Sequence, residues 1–282
     1  MSGLCVAYFG RRNVFVIDAL KDIGHDVIEY NKSSDWKNAD LSIIWHGNRI
    51  PRNILDNAPR PRVLLWREPL IPNSGRWWEI FCGLADLWDL VFVHYGIYID
   101  AAKLVFPGPV LELPQGTVVI PQHPIEFDYP CFIGGISSRR GKIIASLRNS
   151  GIKMDWYEGK RLRCAYTKDG YFSIIQKYPI NLNIHANETI GGFETRLWDS
   201  FSVNRLLISE PMEDTNHWAT PGVHYVSVPI GRFQETITYF LEHPKERDKI
   251  ANAGYQHGLN HSWNHRMETV INITTKGSIG EL

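Results

Sequence analysis

The stretch HANETIGGFETRLWDSFSVNRLLISEP, residues 185–211, decides how the rest of the chain is read. Its Gly191-Gly192 pair opens an amphipathic helix in which Phe193, Leu197 and Phe201 recur at i, i+4 and i+8 as a buried stripe. The apolar run at 206–209 that follows has the length of a strand. Loop, helix and strand in that order form one unit of a parallel α/β sheet, where ligands collect beyond the carboxyl ends of the strands. Asp199 lies about 200° round the helix from Leu197, off the buried stripe. A carboxylate there can accept two hydrogen bonds from a ribose diol. The same spacing suits a surface Arg196–Asp199 pair at i, i+3, worth only ~0.3 kcal/mol. Both readings stay open on these residues alone.

The alternation extends along the whole chain. Residues 4–9 (LCVAYF), 26–30, 41–45, 62–66 and 90–94 read as strands, with 118–121 a weaker one, and 14–23 carries helical spacing ended by Gly24. Three prolines within 121–130 mark a linker. The pattern then restarts, with strands at 131–133, 153–157, 180–185 and 206–209 among helices at 140–150, 171–177, 234–242, 245–259 and 263–273. The expected fold class is α/β, with two Rossmann-like parallel-sheet domains facing across a cleft, in an unusually compact form. Residues 1–122 make the first domain and 123–262 the second, and the C-terminal helix, about 263–275, is expected to pack back on the first.

Bulk properties narrow the classes. Hydrophobic residues are 44% of the 282 and charged residues 21%, ordinary for a globular protein with a real core. Thirty Lys+Arg balance thirty Asp+Glu, so no global field recruits nucleic acid or an acidic membrane surface. The four cysteines, Cys5, Cys82, Cys131 and Cys164, are scattered without metal spacing, which points to a reduced, cytoplasmic protein. No apolar run approaches the ~18 residues of a spanning helix. A G-x-G-x-x-G fingerprint is missing after the first strand, which disfavours a dinucleotide oxidoreductase.

Four places at strand ends carry polar candidates. Gly10, Arg11 and Arg12 follow the first strand, where backbone can approach a ligand and arginines can meet an anion, or simply form a solvated turn. In FIGGISSRRGK, 132–142, Gly134 and Gly135 turn the chain and Ser137-Ser138 are N-cap candidates, with Arg139, Arg140 and Lys142 at the helix start. Cations there oppose the helix dipole, so they imply a compensating anion, and arginine's planar fork suits phosphate. His46, Arg67, Glu68 and His94 end strands in the first half, as base or acceptor contacts or as structural hydrogen-bonding residues. Trp45, Trp66, Trp77, Trp78 and Trp88 crowd the same half, either stacking on sugars or bases or filling the core.

From about 125 to 273 the chain resembles the group 1 glycosyltransferases of the GT-B fold, in their spore-maturation, CgeB-like branch. Three segments carry the likeness: FDYPCFIGGISSRRGKIIASL, GGFETRLWDSFSVNRLLISEP and HPKERDKIANAGYQHGLNHSWNHRM. The resemblance implies an enzyme that moves a sugar from a nucleotide-diphosphate donor, a UDP-sugar, to an acceptor hydroxyl. Donor contacts fall to Gly134, Gly135, Arg139, Arg140, Lys142, His185, Gly191, Gly192, Phe193, Arg196 and Asp199. Within these, Asp199 takes the family's second glutamate and meets the ribose, Arg196 takes the branch's arginine, and Gly191 stands where the first glutamate is usual. The family's small residue after the helix falls on Asn204. The first domain would hold the acceptor through Gly10, Arg11, Arg12, Trp45 and Arg67, with Glu68, His46 or His94 as a base if transfer inverts. The family mostly retains configuration. No metal and no tightly bound cofactor is implied, only the UDP-sugar as co-substrate. The acceptor stays open among glycan, protein, small molecule and phage-type modified DNA, the last through Arg11, Arg12, Arg49, Arg52, Arg60 and Arg62 as a phosphate-tracking patch. A non-catalytic sugar-nucleotide or glycan-binding protein on the same fold is the alternative.

Overall fold

The computed structural model describes residues 3–47, 50–135, 137–158, 168–186, 195–212 and 217–277. Two compact units emerge, Met1–Gln115 with Trp263–Leu282, and Gly116–Ser262.

The first unit holds six strands: β1 (Cys5–Gly10), β2 (Asp26–Glu29), β3 (Leu41–Trp45), β4 (Arg62–Trp66), β5 (Leu90–Val93) and β6 (Val110–Glu112). They pair in the order β2-β1-β3-β4-β5-β6, all parallel. Every residue of β3, β4 and β5 is buried, as expected where helices cover both faces of a parallel sheet. Between the strands run α1 (Val14–Asp22), α2 (Arg52–Leu55), α3 (Gly75–Leu84) and α4 (Ile99–Lys103). Asn13 caps α1 by accepting from the Phe15 amide at 3.1 Å, and α1 packs against the C-terminal helix, Trp263–Lys276.

The second unit holds β7 (Cys131–Ile133), β8 (Asp155–Tyr157), β9 (Ile180–Asn183), β10 (Leu206–Ser209) and β11 (Val226–Ser227), in the order β11-β10-β9-β7-β8 and again all parallel. Its helices are α5 (Ser138–Asn149), α6 (Lys168–Ile175), α7 (Thr195–Ser202), α8 (Phe233–Glu242) and α9 (Pro244–Leu259). The stripe on α7 is real: Leu197 and Phe201 are buried together with Trp198, Ser200 and Ser202. Phe201 fits against α9 only because positions 254 and 258 are glycines. A Cβ on Gly254 would lie 2.5 Å from the Phe201 ring and 2.6 Å from the His224 carbonyl oxygen. After α7 the chain turns into β10 through Asn204, whose φ of 53° is left-handed. Asparagine tolerates that region better than most residues that carry a side chain.

Two expectations are corrected. Residues 118–121 form no strand: Val118 and Gln122 instead bond the end of α7, to Ser202 Oγ at 2.9 Å and to the Ser202 carbonyl at 3.0 Å. The strand β6 carries too short and plain a run, VLE, to announce itself in sequence. The arginine patch is also narrower than expected, because Arg62 is buried and the neighbours engage several of the others. Arg52 pairs with Asp86 and Arg60 with Asp89, while Arg62 is 7% exposed and bonds the carbonyls of Ala58 and Asp56. Arg12 leans on Glu29 at 3.5 Å, and Arg49 lies outside the described residues. No helix among the described residues is long and apolar enough to cross a membrane.

Candidate functional site

The strand order of the second unit reverses direction between β7 and β9, and a ligand-binding crevice is expected at such a switch point. The residues just past those two strands converge there. Ser137 caps α5, accepting from the Arg140 amide at 3.2 Å and donating to the Ala186 carbonyl at 3.0 Å. The cap ties the start of α5 to the segment after β9 and leaves three arginines side by side. Arg139 forks onto both carboxylate oxygens of Glu210 and donates to the His185 carbonyl at 2.9 Å. Glu210 also accepts from the His185 amide at 2.7 Å, so its oxygens are held from the start of α5 and from the segment after β9. Arg140 donates to the carbonyls of Ile184 at 2.8 Å and Gly135 at 3.1 Å. Arg196 reaches back from α7 to the Ile133 carbonyl at 2.8 Å and Asn183 Oδ1 at 3.2 Å. The guanidinium groups of Arg140 and Arg196 lie 5.4 and 5.0 Å from the centre of the Phe132 ring.

Gly134 is required by this packing. A Cβ there would sit 2.5 Å from Arg196 Nη2 and 2.8 Å from the Phe132 ring. Gly135 meets no such neighbour among the described residues.

Crowded cations set the electrostatics. Burial, then the charges of Arg196 and Arg139 against the relief from Glu210, lower the Arg140 guanidinium to about 10. Holding that proton in place costs free energy, which a bound anion would offset. Burial tends to raise the Glu210 carboxyl, but the hydrogen bonds from Arg139 and the His185 amide win and hold it below its usual range. His185 is pushed down by burial ahead of the opposing pull of Glu210, and its buried Nε2 has no partner among the described residues. Asp199 receives a hydrogen bond from Tyr171, whose own hydroxyl is raised well above its usual range by burial and then by that carboxylate. Arg196 and Tyr171 line a small cavity with Cys131, Asn181 and Ser200.

The structure therefore brings together Gly134, Arg139, Arg140, His185 and Arg196, with Asp199 close by. Lys142 is exposed on α5, with no described contact to the cluster. Gly191, Gly192 and Phe193 lie outside the described residues. Sequence reasoning missed Glu210, Asn183, Tyr171 and Phe132. Glu210 had one available signal, as the first charged residue after β10, level with residues that follow β9.

In the first unit the strand order reverses between β1 and β3, beside Gly10 and His46. Gly10 is obligatory: its φ is 114° and a Cβ would lie 2.2 Å from the Trp45 carbonyl oxygen. The turn after it is built by Tyr8, whose hydroxyl donates to the Arg11 carbonyl at 2.8 Å and accepts from the Asn13 amide at 3.1 Å. His46 has a φ of 67°, a conformation rare outside glycine, and its Nδ1 lies 3.3 Å from Glu68 Oε1. Two expectations change here. Trp45 is 5% exposed, with His46, His94 and Trp263 around it, so it is a wall and not a stacking platform. His94 is 2% exposed, its ring nitrogens find no partner among the described residues, and burial followed by Arg67, His46 and Arg266 pushes it well below its usual range. A base must reach the proton it takes, so burial withdraws His94 from that role. Trp66, Trp78 and Trp88 are core residues.

Residues 136–272 match the family model described as glycosyl transferase-like. No curated protein matches the chain significantly. Among solved structures, the fold resembles sucrose-phosphate synthase from Thermosynechococcus elongatus, with a TM-score of 0.64 at 10% identity over 97% of this chain and 98% of that one. It also resembles HepE from Anabaena, solved with UDP and glucose, with a TM-score of 0.60 at 9% identity over 97% and 100%. The pneumococcal O-GlcNAc transferase GtfA, solved with UDP and GlcNAc, gives 0.58 at 11% over 83% of this chain and 56% of that one. The chain thus spans little more than half the length of GtfA but the full length of the smaller enzymes. Over residues 136–272 the chain matches a glycosyl transferase-like family model, and over nearly its whole length it has the two-domain fold of the GT-B glycosyltransferases.

Proposed function

We propose that the protein transfers a sugar from a UDP-sugar to an acceptor hydroxyl, and that it sits in the CgeB-like branch of the group 1 enzymes. The observation that carries the reading is the set of three arginines gathered at the β7–β9 switch point, beside the start of α5. Breaking the bond between the anomeric carbon and the diphosphate leaves an electron pair, and so negative charge, on the departing UDP. Arg140, Arg196 and the first amides of α5 are arranged to stabilise that charge as it develops. The acceptor oxygen bonds the anomeric carbon and gives its proton to the departing phosphate, with configuration retained. Asp199, oriented by Tyr171, accepts from the ribose hydroxyls. HepE and GtfA, both solved with UDP, make uracil the base to test first.

Thermal unfolding in the presence of UDP, GDP, ADP and uridine tests the reading. Saturating UDP is expected to raise the midpoint by roughly 5–10 °C, the shift that a ligand at about 100 times its Kd gives a chain of this size. A folded protein that none of the nucleotides stabilises would falsify it. Asp199→Ala should weaken UDP about tenfold, the loss of one or two hydrogen bonds to a charged acceptor. The same substitution should change 2′-deoxy-UDP less. Equal losses for both nucleotides would remove Asp199 from the ribose.

A further inference from the structure

The central strand of the second unit, β9, reads INLN, with two amides in a position where apolar residues are the rule. Ile180 and Leu182 enter the main core of the unit, and alternation turns Asn181 and Asn183 to the opposite face, under α6 and α7. Asn183 is engaged at both ends: its Nδ2 donates to Ser209 Oγ at 2.9 Å, and its Oδ1 accepts from Arg196 at 3.2 Å. Asn181 is engaged at one. It stands in register with Cys131 of β7, whose thiol donates to its Oδ1 at 3.1 Å. The residue is 5% exposed, and its buried Nδ2 has no partner among the described residues. A buried amide left without a partner is costly, and a trapped water removes most of that cost. Asn181 lines the small cavity described above, beside Arg196 and Ser200, which fall one helical turn apart on the inward side of α7, and beside Tyr171 of α6. The cavity has room for one water molecule. Its polar groups suit water: a carboxamide that donates, a hydroxyl, and a phenol oxygen whose own proton goes to Asp199. A cation would find no carboxylate in this lining and would be repelled by Arg196, and an apolar guest would leave the amide unbonded.

We infer that this cavity is a site for one ordered water, which accepts from Asn181 Nδ2 and donates to the Tyr171 oxygen and the Ser200 hydroxyl. Asn181 is then a positioning residue for the donor, acting through the water and Tyr171 on the Asp199 carboxylate. A phenol that accepts a hydrogen bond donates a stronger one, so the water tightens the hold of Tyr171 on Asp199. The effect on the donor rests on the reading of Asp199 as the partner of the ribose; the water site does not.

A crystal structure that resolves ordered waters tests the site directly. One density peak is expected within hydrogen-bond distance of both Asn181 Nδ2 and the Tyr171 oxygen. A dry cavity, or a water that bonds Asn181 and not Tyr171, overturns the inference. The positioning role is read from the affinities of UDP and 2′-deoxy-UDP in wild type, Asn181→Leu, Tyr171→Phe and the double variant. Leucine matches asparagine in size and cannot bond the water. Asn181→Leu is expected to cut the preference for UDP over 2′-deoxy-UDP about threefold, a fraction of the roughly tenfold loss expected when Asp199 itself is removed. Affinity for 2′-deoxy-UDP should stay within about twofold, less than the loss of one hydrogen bond. Tyr171→Phe cuts the relay by itself, so adding Asn181→Leu to it should lower the preference no further. An asparagine that only supports the fold would lower the melting temperature in both backgrounds and leave the preference alone. A folded Asn181→Leu protein with the wild-type preference therefore overturns the role, and so does an equal drop in the Tyr171→Phe background. If Asn181→Leu does not fold, Ser200→Ala removes another contact of the water and is read by the same ratio: a drop supports the inference and an unchanged ratio overturns it. Wild-type protein that binds UDP no better than 2′-deoxy-UDP marks a separate failure, that of the ribose reading, and the density peak then decides the water site alone.

Discussion

Arg140→Ala is expected to lower UDP affinity by about 30- to 100-fold while uridine affinity changes little. Two charge-assisted hydrogen bonds to phosphate, at about 1.5 kcal/mol or less each after the loss of solvation, give a difference of that size. The selectivity between UDP and uridine is the informative quantity, because it isolates the diphosphate from the base and ribose. Arg140 is suited to the role by its surroundings. Its guanidinium is lowered to about 10 by burial and by Arg196 and Arg139, so it gains more from an incoming anion than a solvated arginine would. Arg140→Lys separates charge from shape. Lysine restores the charge but cannot bond Ile184 and Gly135 and still present a planar edge. It is expected to recover at most about a third of the lost binding free energy, by the difference between a point charge and a bidentate fork. UDP and uridine affinities that fall together in Arg140→Ala would show that the residue shapes the pocket and does not bind phosphate.

Much of the architecture was legible because parallel strands buried on both faces read as short apolar runs. β3, β4, β7 and β10 fall on the expected residues for that reason. The runs LSIIW, RVLLW and LLIS are short and apolar and too brief for a helix. β6 was missed because three residues at the sheet edge need no such pattern. The arginines at the start of α5 were legible as an anomaly, since cations at a helix amino terminus oppose the dipole. Their individual duties were not. Whether Arg139 meets a ligand or Glu210 depends on two residues 71 apart in sequence and brought together by β10 lying next to β9. Likewise the spacing of Arg196 and Asp199 allowed a surface pair. The structure sends Arg196 inward to β7 and β9 and joins Asp199 to Tyr171, contacts that the spacing did not announce. Tertiary partners decided both cases, and helical spacing alone could not. His94 shows the converse, a polar residue at a strand end whose burial removes it from solvent.

Glu210→Gln should produce the largest loss of stability and a second loss in binding, because the carboxylate does two things at once. It neutralises Arg139, and it accepts the His185 amide, joining the segments that follow β9 and β10. The Glu210 side chain is 9% exposed and that of Arg139 23%. Removing one partner of a fully buried pair costs about 3–5 kcal/mol, and partial exposure of Arg139 reduces this to roughly 2 kcal/mol. The pH dependence identifies the cause. Glu210 is held below its usual range in the folded protein, so its contribution is present above the unfolded carboxyl value of 4.5 and is lost as pH falls through the folded value. Wild type and Glu210→Gln should therefore differ by the full amount near neutrality and converge as the pH drops below 4.5. A constant gap between their denaturation curves at all pH values would assign the loss to packing and not to the ion pair. In the folded variant Arg139 loses the charge of Glu210, and an anion can take the place of that carboxylate. UDP should then stabilise Glu210→Gln by more degrees than it stabilises wild type if Arg139 swings to the diphosphate. It should stabilise the variant by fewer degrees if Arg139 must stay fixed for the His185 segment to hold its shape. The bond from Arg139 to the His185 carbonyl favours the second outcome, since it survives the substitution and keeps the guanidinium pointed at the strand.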